Sequence, residues 1–448
     1  MSHTVVKTAS NKANSQDCTA TAAVMNEIDK EFQANSEDDA FWWSASGQPL
    51  CTLLQQNQYS HDRQLYLLRW FRQRVLPSLG PRPSGTKPYY GSWLTYDGSP
   101  LEYSLNWKEK KPNQTIRFTI EPTSSKAGTA ADRLNQLGAK ELLTTLSKEI
   151  PSIDLKRFNL FLEDTYVPDD AIEEVISKHP AGFPQSRVWV AFDLERSGDI
   201  VAKAYFLPHW REIYTGTPTK TIVFDAIKKC NGPLGSYDAS IAALDGYLES
   251  FPSEEAPKIV LLSNDCVADS PAARMKVYLH TSVDTLAKAK DMFHLGGRLS
   301  GTAITAGLQA LDEFWHHLFG FSKSDPDAQH KMVMPGHKCL FVFEMRPTQE
   351  GEQDATPDIE VKVHLPMWDI GKTDAEISEL LASWFQAHGH RDLAERYQAD
   401  LDAAFPKHNI KTSSGTHTFL SLTYTHKTGL YMTMYYTTKF PELYYLPN

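Results

Sequence analysis

The chain has 448 residues and a formal net charge of -10 at pH 7, and 41% of it is hydrophobic, including 10 Trp, 19 Tyr and 21 Phe. Its acidic balance excludes a general nucleic-acid binder, and its aromatic content is ample for a large core. No apolar run reaches the length of a membrane helix and the N-terminus lacks a charged start before an apolar segment, so neither a membrane span nor a signal peptide is expected. Cys18, Cys51, Cys230, Cys266 and Cys339 lack CxxC or disulfide-framework spacing, which fits a reduced, cytoplasmic protein.

Residues 1–20 are rich in Ser, Thr, Asn and Lys and read as a disordered tail; residues 21–448 read as one globular domain. Val24, Ile28 and Phe32 have helical spacing. Ser60 caps a helix carrying Leu65, Leu68, Trp70, Phe71 and Val75, which is expected to stop near Pro77. Strand-like sequence follows at Trp93–Tyr96, then a turn at Asp97-Gly98 and strands over 101–107 and 115–120. Helices are predicted around 131–149 and 169–178, followed by strands over 187–194 and 200–207. Helices around 221–229 and 236–251 precede strands over 259–262 and 274–279. Helices around 283–293 and 302–320 precede strands over 340–345 and 359–365. Helices around 374–387 and 391–404 precede strands over 418–425 and 430–437. The unit helix-helix-strand-strand thus recurs about five times with a period of roughly 70–90 residues. The expected fold class is α+β: a ten-stranded antiparallel barrel of ααββ repeats, with the helices outside.

The second strand of each pair has two contrasting faces. Arg117 and Thr119 oppose Ile116, Phe118 and Ile120; Lys203 and Tyr205 oppose Ala202, Ala204 and Phe206. Arg274, Lys276 and Tyr278 oppose Met275, Val277 and Leu279; Lys362 and His364 oppose Val361, Val363 and Leu365; Tyr431, Thr433 and Tyr435 oppose Met432 and Met434. One such strand alone reads as a half-buried strand with its polar face in water. Five of them under a helical cover place that face inside the barrel, where unpaired cations are costly. Such an interior calls for a polyanionic ligand. Converging Arg and Lys suit a diphosphate, and tyrosine faces stabilise a carbocation by roughly 0.5–2 kcal/mol each. Together they describe an ionising allylic diphosphate, and Glu102 is placed to hold an N–H of an electron-rich ring.

Phe41-Trp42-Trp43, Val75–Pro81, Pro100–Ser104, Ile116–Pro122, Ala191–Leu194, Lys203-Ala204-Tyr205, Arg274–Leu279 and Leu295–Arg298 resemble segments of fungal aromatic prenyltransferases of the dimethylallyltryptophan synthase type, in order from Phe41 to the C-terminus. The resemblance implies the barrel known as the ABBA prenyltransferase fold. It also implies transfer of a dimethylallyl group from its diphosphate to an indole-type acceptor in fungal secondary metabolism, without an essential metal or other cofactor. Carried over, Arg117, Lys203, Arg274 and Lys276 bind diphosphate, with Lys362 at a variable polar position. Tyr205, Tyr278 and Tyr435 shield the cation, and Glu102 grips the indole N–H. His364 stands where many relatives have a shielding Tyr, and Phe419 where some do. Trp189 replaces the lysine thought to take the ring proton in C4-prenylating members, which suggests another acceptor or position of attack. Glu102, Trp189, His364 and Phe419 are therefore the expected acceptor pocket.

Two other readings keep the barrel: a phenol, tyrosine or aromatic polyketide as acceptor, or a non-catalytic carrier of an anionic ligand. The carrier has no use for Tyr205, Tyr278 and Tyr435. The expected partners are small-molecule substrates, with no nucleic acid or membrane, and the chain is expected to be a monomer or homodimer. Asp169–Glu174 mimics an aspartate-rich magnesium motif, but Pro168 marks it as a helix start whose carboxylates face the dipole.

Overall fold

In a computed structural model of the chain, residues 21–85, 87–111, 113–180, 185–334, 338–348, 357–368 and 370–440 are described. The tail expected over residues 1–20 lies outside them.

The alternating segments form ten strands: β1 (Leu101–Lys108), β2 (Thr115–Ile120), β3 (Val188–Leu194), β4 (Val201–Phe206), β5 (Lys258–Asp265), β6 (Met275–Ser282), β7 (Lys338–Met345), β8 (Ile359–Pro366), β9 (His417–Thr425) and β10 (Gly429–Thr437). Each pairs antiparallel with the next, and β1 pairs with β10, so the sheet closes into a barrel and hides its edges. Arg274 immediately precedes β6 rather than opening it.

Helices precede each hairpin. α1 (21–31), α2 (Glu37–Gln56) and α3 (His61–Trp70) come before β1; α4 (Gly138–Glu149), α5 (Lys156–Thr165) and α6 (Ile172–Lys178) come before β3. α7 (His209–Thr215), α8 (Thr219–Lys228) and α9 (Asp238–Leu248) precede β5; α10 (Leu286–Phe293) and α11 (Thr302–Phe319) precede β7; α12 (Asp374–Ala387) and α13 (Arg391–Ala404) precede β9. They cover the outward face of the strands. Ile116, Phe118 and Ile120 are at most 1% exposed, and the rings of Trp70 and Phe71 lie 6.2 and 5.2 Å from that of Phe118. Burying each such side chain contributes about 1.5–3 kcal/mol.

Three local expectations are corrected. Trp93–Tyr96 is a bent segment, because side chains take over its polar groups: Ser92 Oγ accepts from Leu94 N–H, and the Asp97 carboxylate accepts from Thr95 Oγ1, Ser99 N–H and Ser99 Oγ. The helix predicted from 131 begins only at Gly138, since Asp132 draws in the amides of Gln136 and Leu137. α3 gives way to a π turn at Phe71–Val75 and a 3-10 turn at Leu76–Leu79, and the helical run ends at Gly80 with φ of 71°, close to the stop expected near Pro77. α5 and α7 were not anticipated, although Phe158, Phe161, Leu162 and Thr165 of α5 have amphipathic spacing and are buried. No helix among the described residues is long and apolar enough to cross a membrane.

Candidate active site

Strand register sets opposite charges beside one another inside the barrel. Arg117 faces Asp193, Lys203 faces Asp265, and Lys276 faces Glu344 on neighbouring strands. Asp193 lies 2.9 Å from Arg117 Nε and accepts from Lys203 Nζ at 2.6 Å. Asp265 accepts from Lys276 at 2.7 Å and from Arg274 Nη2 at 2.6 Å, and Glu344 accepts from Arg274 Nη1 at 2.5 Å and from Lys362 at 3.1 Å. Burial works against these charges, but the surrounding cations outweigh it, lowering Asp193 and holding Asp265 and Glu344 well below the usual carboxylate range. The interior cations therefore do not lack partners within the chain, which corrects the argument from unpaired charge. Even with Glu360, 3.6 Å from Lys362, four carboxylates against five cations still leave a positive surplus. Arg117, Lys203, Arg274, Lys276 and Lys362 all line one cavity of about 60 Å³.

Tyr431 lies in the same cavity. Arg117 Nη1 donates to its hydroxyl at 2.9 Å, and Lys362 Nζ sits 4.9 Å from its ring centroid. Burial alone would raise the phenol, but Arg117 and then Lys362 bring it down to about 7.

A collar of rings bounds this cavity on one side. Tyr205 and Tyr278 meet at 5.9 Å between centroids, Tyr278 and His364 at 6.2 Å, and His364 and Tyr435 at 5.5 Å. Burial, then the neighbouring Lys362, lowers His364 to about 3, so its imidazole is neutral at physiological pH. The same four residues also line a second, larger cavity of about 360 Å³, within the range of small-molecule sites. Its walls include Leu94, Val260, Leu261, Leu340, Trp189 and Phe419, and aromatic residues Trp93, Tyr96 and Trp368 contribute as well. Glu102 also lines it. That carboxyl is 6% exposed, accepts from Thr418 Oγ1 at 2.5 Å, and is pushed up to about 8 by burial.

All the residues singled out from the sequence come together around these two cavities. Arg117, Lys203, Arg274, Lys276 and Lys362 gather at the smaller. Tyr205, Tyr278, Tyr435 and His364 stand between the two, and Glu102, Trp189 and Phe419 line the larger. Sequence reasoning passed over Asp193, Asp265 and Glu344, as well as the Trp93–Tyr96 segment. Asp193 could have been found by extending the inward alternation of Trp189 and Ala191. Among the described residues no group of three or more His, Cys, Asp or Glu side chains could hold a metal ion. Asp169 and Asp170 form a 3-10 turn leading into α6, as the helix-start reading expected.

A cationic cavity joined through tyrosine rings to an apolar one suits chemistry in which an anion leaves and a cation remains. Comparison with known proteins agrees. Residues 38–400 match the tryptophan dimethylallyltransferase family. The chain is 58% identical over 424 residues to prenyltransferase iacE of Pestalotiopsis fici, covering 94% of this chain and 96% of that protein. It is 32% identical over 419 residues to 7-dimethylallyltryptophan synthase hasE of Aspergillus fumigatus, covering 90% and 86%. The crystal structure of AnaPT from Neosartorya fischeri superposes with a TM-score of 0.80 at 25% identity, covering 93% of this chain and 98% of that one. The barrel is the ABBA prenyltransferase fold, and the chain belongs to the tryptophan dimethylallyltransferase family of aromatic prenyltransferases.

Proposed function

We propose that the protein moves a dimethylallyl group from dimethylallyl diphosphate to a ring carbon of an uncharged indole-type acceptor. The observation that carries this reading is the collar of Tyr205, Tyr278, His364 and Tyr435, which belongs to both cavities. Arg117, Lys203, Arg274, Lys276 and Lys362 take the diphosphate in the smaller cavity, and the allyl carbon reaches through the collar. The allylic C–O bond breaks and its electron pair leaves with the diphosphate, whose new charge the cations receive. The cation left behind is held against the faces of Tyr205, Tyr278 and Tyr435, which also exclude water. An aromatic carbon in the larger cavity attacks it to form the C–C bond, and a base or a water molecule then takes the ring proton to restore aromaticity. Ionised Glu102 accepts the acceptor N–H, orienting the ring and stabilising the charge it acquires. Five cations supply the charge that a metal would otherwise bring, so the reaction needs no metal ion.

Acceptor charge is where the reading narrows. None of the described residues lining the larger cavity is Arg or Lys, and a free carboxylate buried without a cation is costly. An indole without a free carboxylate, such as a cyclic dipeptide, fits better than tryptophan itself. A neutral phenol fits the same walls and is the second reading, because Glu102 accepts an O–H as readily as an N–H. Offering tryptophan, simple indoles, tryptophan-containing cyclic dipeptides and phenols with dimethylallyl and geranyl diphosphates, followed by mass spectrometry, separates these outcomes. A prenylated uncharged indole is expected. Selective prenylation of phenols establishes the second reading, and tight diphosphate binding without turnover of any acceptor returns the protein to the carrier class.

A further inference from the structure

Glu121 is a fully buried carboxylate to which no step above gives a part. It lies one residue beyond β2, continuing the inward alternation of Arg117 and Thr119. Three side chains converge on its Oε2: Ser92 Oγ donates at 2.6 Å, Trp189 Nε1 donates at 3.3 Å, and Ser186 Oγ donates as well. Both serines pass the connection on. Ser92 Oγ accepts from the Leu94 amide at 3.1 Å, and Ser186 Oγ from the Trp93 amide at 2.7 Å. Trp93, Leu94 and Trp189 line the larger cavity, and Leu94 packs in one apolar cluster with Trp189. Glu121 stands behind this wall and ties its pieces together. Burial raises its carboxyl to about 7 even though the three donors pull it down.

Resting on the assignment of the larger cavity to the acceptor, we infer that Glu121 is the positioning residue that sets acceptor specificity. It fixes the Trp189 ring and the Trp93–Leu94 segment, and through them decides which ring carbon faces the allyl cation. A buried indole N–H held by a carboxylate keeps one ring orientation. Without that bond the ring and the segment lose their common anchor. Reacting atoms must approach to about 3–3.5 Å, and a misplacement of about 1 Å costs roughly 10²-fold in rate.

The test uses Glu121→Ala and Glu121→Gln, with Ser92→Ala and Trp189→Phe each removing a single donor. Dimethylallyl diphosphate is the donor substrate, and simple indole and a tryptophan-containing cyclic dipeptide are the acceptors. Glu121→Ala is expected to raise the acceptor KM about tenfold, equivalent to about 1.4 kcal/mol, and to spread product over more than one ring position. The KM for dimethylallyl diphosphate should stay within about twofold, since the cations sit elsewhere. Adding Trp189→Phe to Glu121→Ala should change the isomer ratio little further, because the two act as a unit. Amide exchange at Trp93 and Leu94 should quicken whether or not the acceptor is the right one. A wild-type isomer ratio and acceptor KM, or an equal rise in donor KM, overturns the inference. Phe419→Ala, elsewhere in the same wall, is the control for the acceptor assignment. If it alters acceptor KM while Glu121→Ala does not, only the present inference falls; if neither does, the acceptor assignment falls with it. Should Glu121→Ala not fold, Ser92→Ala and Trp189→Phe must show the same shift at smaller size, and their silence overturns it equally.

Discussion

Glu102 and Glu121 are two buried carboxyls beside the larger cavity whose surroundings differ. Both are raised by burial, Glu102 to about 8 and Glu121 to about 7. Glu121 is engaged by three side chains of the wall, whereas Glu102 faces the cavity and accepts from Thr418 Oγ1. A carboxyl raised to about 8 is mostly neutral at pH 7, and its ionised fraction grows as pH rises. With an N–H acceptor, kcat/KM should therefore climb through about pH 8 and level off above it. Glu102→Gln should abolish that limb and lower kcat/KM about 10²-fold. A flat wild-type profile over the same range would remove Glu102 from its assigned place. The acids among the cations make a second residue-level prediction. Asp193→Asn leaves Arg117 and Lys203 without their shared counter-charge, which should lower Tm and tighten inorganic diphosphate about tenfold, measured by calorimetric titration. Weaker diphosphate binding by this variant would show that Asp193 acts mainly by holding the two cations in place. The cations were legible in the sequence because each lies beside the apolar alternation of a second strand. Asp265 was not, and the reason is a bulge. The register slips between Ile259 and Leu261, so those two residues share a parity yet pack on opposite faces, and counting by twos from Ile259 turns Asp265 outward.

At the scale of elements, side-chain capture of backbone groups decides where the sequence can be read. Strands and long helices were legible from periodicity, because a wrong face would expose the entire apolar set. Trp93–Tyr96 was not, since its aromatic, β-branched composition suggests a strand while Ser92 and Ser186 bind the Leu94 and Trp93 amides that a ladder would need. α12 shows the same device used to join elements. Thr373 and Glu376 form a capping box. The next residue inside the cap, Asp374, accepts from the amides of Thr416 and His417 and from His417 Nδ1, each at 2.9 Å. His417 Nε2 is 3.1 Å from the Tyr397 hydroxyl, which lies 2.8 Å from that of Tyr436. One carboxylate thus links α12, α13, β9 and β10. Asp374→Ala should cost about 3 kcal/mol at neutral pH by stranding buried donors. Burial opposes the Asp374 charge, but His417 and the two amides outweigh it and lower its pKa. Its stabilisation is therefore present above the unfolded carboxyl value of about 3.9 and fades as pH falls through the folded one. Urea unfolding at about pH 7 and about pH 3 should show the gap between wild type and Asp374→Ala narrowing with acid. A constant gap would mean that the linkage depends on packing and not on charge.

For the molecule as a whole, barrel closure matters because it brings the first hairpin and the last into one wall. β1 supplies Glu102 and pairs with β10, which supplies Tyr431 and Tyr435, so the carboxyl and the tyrosines proposed to serve one reaction come from residues more than 300 positions apart. Two cavities then share one ring of aromatics inside a scaffold without free edges, so on the proposed function the allyl group has only about the thickness of a tyrosine collar to cross. On the proposed function, the interior cations also take the place of a metal. Arg117, Lys203, Arg274, Lys276 and Lys362 are held at 2.5–3.1 Å from Asp193, Asp265 and Glu344 before any substrate arrives. Cations fixed in advance stabilise a developing diphosphate charge without the reorganisation that water would require. An enzyme relying on magnesium would lose several kcal/mol of charge stabilisation on chelation, a fall of about three orders of magnitude. Here, after extensive dialysis against EDTA, kcat with dimethylallyl diphosphate and the best acceptor should stay within about twofold of the magnesium-supplemented value. Lys203→Ala and Lys276→Ala should instead each cost about 10²-fold or more with every acceptor, since both receive the same leaving group. A strict requirement for magnesium, with the lysine variants near wild type, would mean that the interior cations hold the barrel together and do not drive ionisation.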